Sequence, residues 1–166
     1  MSKRAPRSLH GNVVAITGGG RGIGRAMARA LAAQGARVAV CDLDGDTAAA
    51  TAAELGGDAI GLAVDVTDHA ALVAFVDTVE ERLGPLDVMI NNAGIMPVGP
   101  FLDESDASAV RQLDINVHGV IFGMKEALAR MLARRSGHIV NLASVAGKGG
   151  FDVRAADPSA YLCEFL

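Results

Sequence analysis

Residues 17–24 read Thr17-Gly18-Gly19-Gly20-Arg21-Gly22-Ile23-Gly24, and this glycine-rich stretch separates two segments of different periodicity. The run before it, residues 12–17 (NVVAIT), has β-strand character, whereas the apolar residues after it recur at intervals of three and four. Backbone without Cβ lets a pyrophosphate come close, and the first turn of a helix offers free N–H groups. The stretch therefore predicts an anion-binding turn between a strand and a helix.

The same alternation of strand-like and helix-like segments continues along the chain. Further strand-like runs cover residues 37–42, 59–64, 86–90 and 137–142. The last helix-like pattern runs from 110 to 131 and predicts one long helix with an apolar stripe, formed by Val110, Leu113, Val117, Ile121, Met124, Leu128 and Met131. Strands this apolar are typical of a parallel sheet with helices on both faces. The sequence predicts an α/β fold, a doubly wound, Rossmann-like parallel sheet of about five strands.

Composition limits the classes of partner. The 166 residues include 15 Lys and Arg against 19 Asp and Glu, so the net charge of −4 favours neither nucleic acid nor an anionic membrane as a partner. Cys41 and Cys163 are isolated, which favours a reducing, cytoplasmic location. The four histidines share no ligand spacing, so no metal site is expected.

We expect a flexible basic arm at 1–10, a dinucleotide-binding domain at 11–151 and an atypical tail at 152–166.

Further motifs follow the glycine turn in a fixed order. The turn itself has the form Thr-Gly-x-x-x-Gly-x-Gly, and Asp65-Val66, Asn91-Asn92-Ala93-Gly94, Asn116 and Ser144 come after it. From about residue 10 to about residue 150, this set resembles the short-chain dehydrogenase/reductase family. The resemblance implies an NAD(P)-dependent oxidoreductase that transfers hydride between the nicotinamide and a small-molecule alcohol or carbonyl substrate.

Asp42 ends the second predicted strand, where a carboxylate accepts both hydroxyls of an adenosine ribose and repels a 2′-phosphate. This favours NAD, although Arg21 leaves NADP open. Capping of the next helix is the alternative role for this acidic turn, with Asp44 or Asp46 as the cap. By resemblance, cofactor contacts are expected at these positions: Thr17, Gly18, Arg21, Gly22, Ile23, Gly24, Asp42, Asp65, Val66, Asn92, Ala93 and Gly94.

By the same resemblance, Asp65 meets the adenine amino group and Val66 lines the ring pocket, although Asp65 alternatively starts the helix after strand three. Asn116 resembles the catalytic Asn that bends its helix and holds a water, with a buried hydrogen bond as the alternative. Ser144 resembles the Ser that hydrogen-bonds the substrate oxygen. These assignments make Ser144 and Asn116 candidate catalytic residues.

The resemblance weakens near Phe151. The family places a Tyr about a dozen residues after the Ser and a Lys four positions later, but the single tyrosine, Tyr161, is seventeen positions after Ser144 and is followed at that distance by Phe165. We therefore expect a chain truncated or frame-shifted after about residue 151, with Tyr161 as the candidate for the catalytic tyrosine. An uncovered face of strand five would then favour homo-oligomers and weak stability. Alternative functions are a dinucleotide-binding remnant without turnover and a scaffold that binds a partner through the helix at 110–131.

Overall fold

The structure, a computed structural model, describes residues 8–144, apart from the side chain of Phe101. Five strands lie side by side in one parallel sheet: β1 (Val13–Thr17), β2 (Arg37–Asp42), β3 (Ile60–Ala63), β4 (Leu86–Asn91) and β5 (His138–Asn141). Their order across the sheet is β3-β2-β1-β4-β5. The predicted doubly wound α/β fold is thereby confirmed. Most of the predicted arm and the whole tail at 152–166 lie outside the described residues.

Within residues 8–144, five α-helices join and cover these strands. They are α1 (Gly22–Ala32), α2 (Gly45–Leu55), α3 (His69–Leu83), α4 (Asp106–Leu113) and α5 (Gly119–Arg134). Helices α1 and α2 pack on one face of the sheet, where Val14, Ile16 and Val40 are buried. Helices α3 and α5 pack on the other, around Phe75 and Met89. No helix of the described part of the chain is long and apolar enough to span a membrane.

The predicted single helix over 110–131 is wrong in two respects. Helix α4 and helix α5 are separated by a π-helical turn, Asp114–His118, and of the seven predicted stripe residues only Met131 is buried. The buried positions recur every fourth residue instead, and they are Ile115, Gly119, Gly123, Ala127 and Met131. The apolar pattern missed this face because glycine and alanine contribute little hydrophobicity, although their small size lets the helix approach the sheet closely.

Gly123 marks the closest approach of α5 to the sheet. A Cβ added there would lie 2.0 Å from Oδ1 of the buried Asn91 and 3.1 Å from the Met89 side chain. The second Asn91 amide atom, Nδ2, donates to Asn141 Oδ1 at 2.8 Å, which ties β4 to β5. The Asn91 side chain is therefore held in place and has little freedom to move away from a larger residue.

Arg130 joins α5 to α3. Its guanidinium binds Glu126 at 2.8 Å, Glu80 at 3.3 Å and also Asp77, while His69 contacts Glu126 at 2.7 Å. Burial favours the neutral form of Glu126, but the hydrogen bonds from Arg130 and His69 outweigh it and lower the pKa of this carboxyl. The charged form of Glu126 is therefore part of the contact between the two helices.

We predict that Gly123→Ala lowers the free energy of unfolding by about 1–3 kcal/mol, because the methyl group overlaps Asn91. Urea denaturation followed by circular dichroism measures the change. Gly99→Ala is the control, since a Cβ at Gly99 meets nothing within 4 Å. Equal stability of the two variants would contradict the close packing of α5 on β4.

We predict that Glu126→Gln lowers the free energy of unfolding at pH 7 by about 1 kcal/mol. Because the pKa of Glu126 is lowered in the folded state, this contribution is present above the unfolded-state pKa of about 4.3 and is lost as the pH falls below it. The difference from wild type therefore shrinks as the pH is lowered. Urea denaturation at each pH measures it. Glu81→Gln carries the same charge change at an exposed position of α3 that has no ion pair within residues 8–144, and it should change stability little.

Candidate functional site

The site lies at the carboxyl edge of the sheet, where the strand order reverses between β1 and β4. Open α/β sheets bind ligands at such a switch point. A cavity of about 320 Å³ opens there, and it brings together ten of the predicted cofactor residues, namely Gly18, Arg21, Ile23, Gly24, Asp42, Asp65, Val66, Asn92, Ala93 and Gly94. The other two predicted positions are Thr17, the last residue of β1, and Gly22, the first residue of α1.

Three glycines of the turn are required for different reasons. At Gly18, where φ is +65°, a Cβ would lie 2.9 Å from Ala93 Cα, and at Gly24 it would lie 2.1 Å from the Gly18 carbonyl oxygen. These two glycines allow the loop to pack against the protein itself. Gly22 has φ of +54° and open space around its Cβ position, so its backbone conformation favours glycine there.

The N-terminus of α1 differs from those of α2 and α3. Asp44 and Asp68 cap α2 and α3 with their side chains, whereas Arg21 at the same position of α1 makes no side-chain cap. The first-turn residues Ile23 and Gly24 line the cavity. Because the first N–H groups of a helix lack intrahelical partners and carry partial positive charge, this end of the cavity suits an anion.

Thr17 connects the loops that follow β1 and β4. Its Oγ1 accepts hydrogen bonds from the backbone N–H groups of Asn92 and Ala93, both at 3.0 Å. The Asn92 side chain returns two bonds, since its Nδ2 donates to the Thr17 and Gly18 carbonyl oxygens at 2.8 and 3.0 Å. Thr17 is only 2% exposed, so it supports the cavity from beneath.

Asp42 is fixed at the opposite side of the glycine turn. Its Oδ2 accepts from the Gly20 N–H at 3.0 Å and its Oδ1 from the Asp44 N–H at 3.3 Å, and the residue is 7% exposed. Asp44 caps α2, so the capping role considered for this acidic turn belongs to Asp44 and leaves Asp42 facing the cavity. Leu43, which also lines the cavity, is 61% exposed. Cys41 precedes Asp42 in β2 and is buried, and this burial raises the pKa of its thiol.

Asp65 and Val66 form the wall after β3. Asp65 Oδ1 accepts from the Thr67 N–H at 2.9 Å and from the Thr67 hydroxyl at 2.8 Å, which closes a local turn. The cap of α3 is Asp68 rather than Asp65. Val66 is buried against Gly119, where a Cβ would lie 2.9 Å from Val66 Cγ2. Asp65 therefore has a turn-forming role and a place in the cavity wall at once.

A second cavity, of about 730 Å³, adjoins the first and shares Ile23 and residues 92–95 with it. Asn116 and Ser144 both line this second cavity. Asn116 lies in the π-helical turn, accepts from the Ile95 N–H at 2.9 Å and donates to the Ile95 carbonyl at 2.8 Å. The hydrogen bonds considered as the alternative role are therefore present, but the residue is exposed rather than buried. The predicted departure from regular helix is also present. Tyr161 lies outside the described residues.

Sequence reasoning missed several residues of both cavities. Arg111 and Ile115 line the first, and Glu104, Ser108 and Gln112 line the second. Glu104, Ser108 and Gln112 precede Asn116 at four-residue intervals, which is typical of one helix face, but no sequence signal told which cavity that face lines. No ion pair forms at Arg21 or Arg111 within residues 8–144, whereas Arg25, Arg29, Arg37, Arg130 and Arg134 all pair with carboxylates.

We predict that Thr17→Val lowers the free energy of unfolding by about 2 kcal/mol relative to Thr17→Ser, because only valine leaves the two backbone N–H groups without an acceptor. Guanidinium denaturation monitored by circular dichroism gives both values. Serine keeps the hydroxyl and serves as the matched control. If the two variants unfold at the same denaturant concentration, the link between the two loops does not stabilise the fold.

Comparison with known proteins agrees with this geometry. The family model described as short chain dehydrogenase matches residues 12–159. Sorbitol dehydrogenase of Cereibacter sphaeroides is 42% identical over 143 residues, which cover 86% of this chain and 56% of the relative. The 2-(S)-hydroxypropyl-CoM dehydrogenase 3 of Xanthobacter autotrophicus is 44% identical over 151 residues, 89% of this chain and 59% of the relative. The 2-dehydro-3-deoxy-L-rhamnonate dehydrogenase (NAD(+)) of a Sphingomonas strain is 41% identical over 144 residues, 84% of this chain and 56% of the relative. The chain thus spans just over half the length of each of these three relatives, and it belongs to the short chain dehydrogenase family.

Proposed function

We propose that this chain binds NAD and serves an oxidoreductase reaction in which hydride moves between the nicotinamide and a small-molecule alcohol or carbonyl compound. One observation carries the proposal: a single cavity at the switch point combines an uncapped helix N-terminus with a fixed carboxylate, Asp42. A dinucleotide has the matching groups, because its diphosphate is an anion and its ribose carries paired hydroxyl donors. Residues 11–151 would form the binding domain.

The lining residues fit the parts of the cofactor in order. The first turn of α1 would hold the diphosphate, Asp42 the adenosine ribose, and Asp65 with Val66 the adenine. Residues 92–94 border both cavities, so they would lie between the cofactor and the substrate. Gly18 and Gly24 keep the turn close to residues 92–93, which leaves the cavity open toward the helix N-terminus.

NAD is proposed over NADP on charge. Asp42 and Leu43 both line the cavity. With the adenosine ribose at Asp42, the carboxylate would repel a 2′-phosphate, and the adjacent Leu43 would supply no cation for it. One relative is named as an NAD(+) enzyme, which supports the same choice. Arg21 lines the cavity as well, so tighter binding of NADPH than of NADH would reassign the cofactor.

The proposed chemistry uses the second cavity. Bound NAD supplies a hydride acceptor, and its reduced form a hydride donor. The Ser144 hydroxyl would hydrogen-bond the substrate oxygen and stabilise the charge that develops on it. Asn116 uses both amide groups on Ile95, so it would act by holding this wall of the cavity, and Tyr161 would exchange the proton with the substrate.

A second candidate is dinucleotide binding without turnover. It rests on the sequence around Tyr161, where Phe165 stands in the place of the lysine that resemblance leads us to expect. A phenol with no cation nearby has a pKa near 10 and is a poor base at neutral pH. Binding of NADH without oxidation or reduction of any alcohol or carbonyl compound would support this candidate.

The remaining proposals concern assembly and location. Ile121, Leu128 and Leu132 expose apolar surface on α5, which supports a homo-oligomer or, as a third candidate, a scaffold that binds a partner helix. Neither nucleic acid nor a membrane is proposed as a partner. The isolated cysteines support a cytoplasmic location.

We predict that Asp42→Ala weakens NADH binding by about 10-fold or more, since hydrogen bonds to a charged group contribute about 1.5–3 kcal/mol. NADH fluorescence titration on folded protein of verified mass measures the dissociation constant, and a dehydrogenase assay on the same sample tests turnover. Asp46→Ala, an equal charge change at an exposed position of α2, should bind like wild type. Wild-type protein that is folded but binds neither NADH nor NADPH would overturn the proposed function.

A further inference from the structure

A stripe of polar residues runs along one wall of the second cavity. Its members are Glu104, Ser108, Gln112 and Asn116, each four positions after the previous one, and all four line the cavity. Ser108 and Gln112 lie on α4 and Asn116 in the π-helical turn that follows. Because an α-helix rises 1.5 Å per residue, helical members of this polar stripe are about 6 Å apart along the axis. The stripe ends at Asn116, which lines the same cavity as Ser144. Asn116 also contacts Ile95, which lines the first cavity as well.

Internal hydrogen bonds use up donors of the polar stripe and leave acceptors. Glu104 Oε1 accepts from the Ser108 hydroxyl at 3.0 Å and from the Gln112 side-chain amide. Glu104 Oε2 and Gln112 Oε1 accept no hydrogen bond from residues 8–144. A carboxylate and an amide oxygen only accept hydrogen bonds. This wall therefore suits a ligand that brings donors.

The charge of the cavity points the same way. Asp103 and Glu104 line it, and its lining contains no Lys, Arg or His among the described residues. The first cavity differs, because Arg21 and Arg111 line it together with its carboxylates. Two carboxylates with no cation in the described part of the lining disfavour an anionic ligand. The rest of the described lining includes Met96, Val98 and Leu142, which add apolar surface and no charge.

We propose that the second cavity takes a neutral polyhydroxylated alcohol, or its carbonyl form, whose hydroxyl groups donate to the polar stripe. An alcohol that carries a carboxylate is disfavoured, because the carboxylate adds negative charge near Glu104 and itself donates no hydrogen bond. The proposal rests on the proposed function, in which the dinucleotide occupies the first cavity and the substrate the second. It assigns the selection between neutral and anionic substrates to Glu104.

Saturation-transfer NMR in the presence of saturating NAD tests this without requiring turnover. Sorbitol and gluconate are the probes, since they share a six-carbon polyhydroxylated chain and differ in charge. We expect wild-type protein to bind sorbitol at least about fivefold more tightly than gluconate, the ratio that about 1 kcal/mol of charge repulsion produces. Glu104→Gln should lower this ratio by improving gluconate binding, because glutamine keeps the size of the side chain and removes one of the two carboxylates that line the cavity.

Asp106→Asn is the matched control. It removes one charge from the first turn of the same helix, and Asp106 does not line the cavity, so it should keep the wild-type ratio. Gluconate binding as tight as sorbitol binding in the wild type overturns the proposal, as does an equal response of Glu104→Gln and Asp106→Asn. If NADH binds in the fluorescence titration and neither probe binds, the proposal fails while the dinucleotide site stands. If NADH does not bind, the proposed function fails instead.

Discussion

The hydroxyl of Thr17 is the contact on which the site depends most. In a parallel sheet of the order β3-β2-β1-β4-β5, the direction of the chain crossovers reverses between β1 and β4. The loops that follow these two strands therefore diverge. Thr17 Oγ1 accepts from the N–H groups of Asn92 and Ala93 and so holds the two loops at hydrogen-bond distance. Because Asn92 and Ala93 line both cavities, the same contact determines the shape of both.

The second constraint is the closeness of α5 to the sheet. Gly119 and Gly123 bring the helix backbone against Val66 and Asn91, and neither position has room for a methyl group. This packing places the π-helical turn that precedes α5, and therefore Asn116, beside Ile95. The same small-residue face that stabilises the core thus positions one wall of the second cavity.

The two cavities differ in charge in a way that matches the groups we propose for them. The first combines a helix N-terminus and two arginines with carboxylates, which suits a ligand that is both anionic and rich in hydroxyl groups. The second is lined by carboxylates, amide groups and apolar side chains, without an arginine, lysine or histidine among the described residues. A dinucleotide and a neutral polyol would each meet complementary chemistry, and their reacting ends would meet near residues 92–95.

The sequence by itself determined the class of fold, the strand positions to within a residue or two and most of the lining of the first cavity, because strand periodicity and the glycine turn are local signals. Ten predicted residues meet there for a simple reason: the carboxyl ends of parallel strands lie at one edge. Only the tertiary structure decided which face of the region from 110 to 131 is buried and that Glu104, Ser108 and Gln112 face the second cavity. Those outcomes depend on how closely a helix approaches the sheet. Gly119 and Gly123 permit the close approach because they have no side chain, and for the same reason they do not show in a pattern of apolar residues.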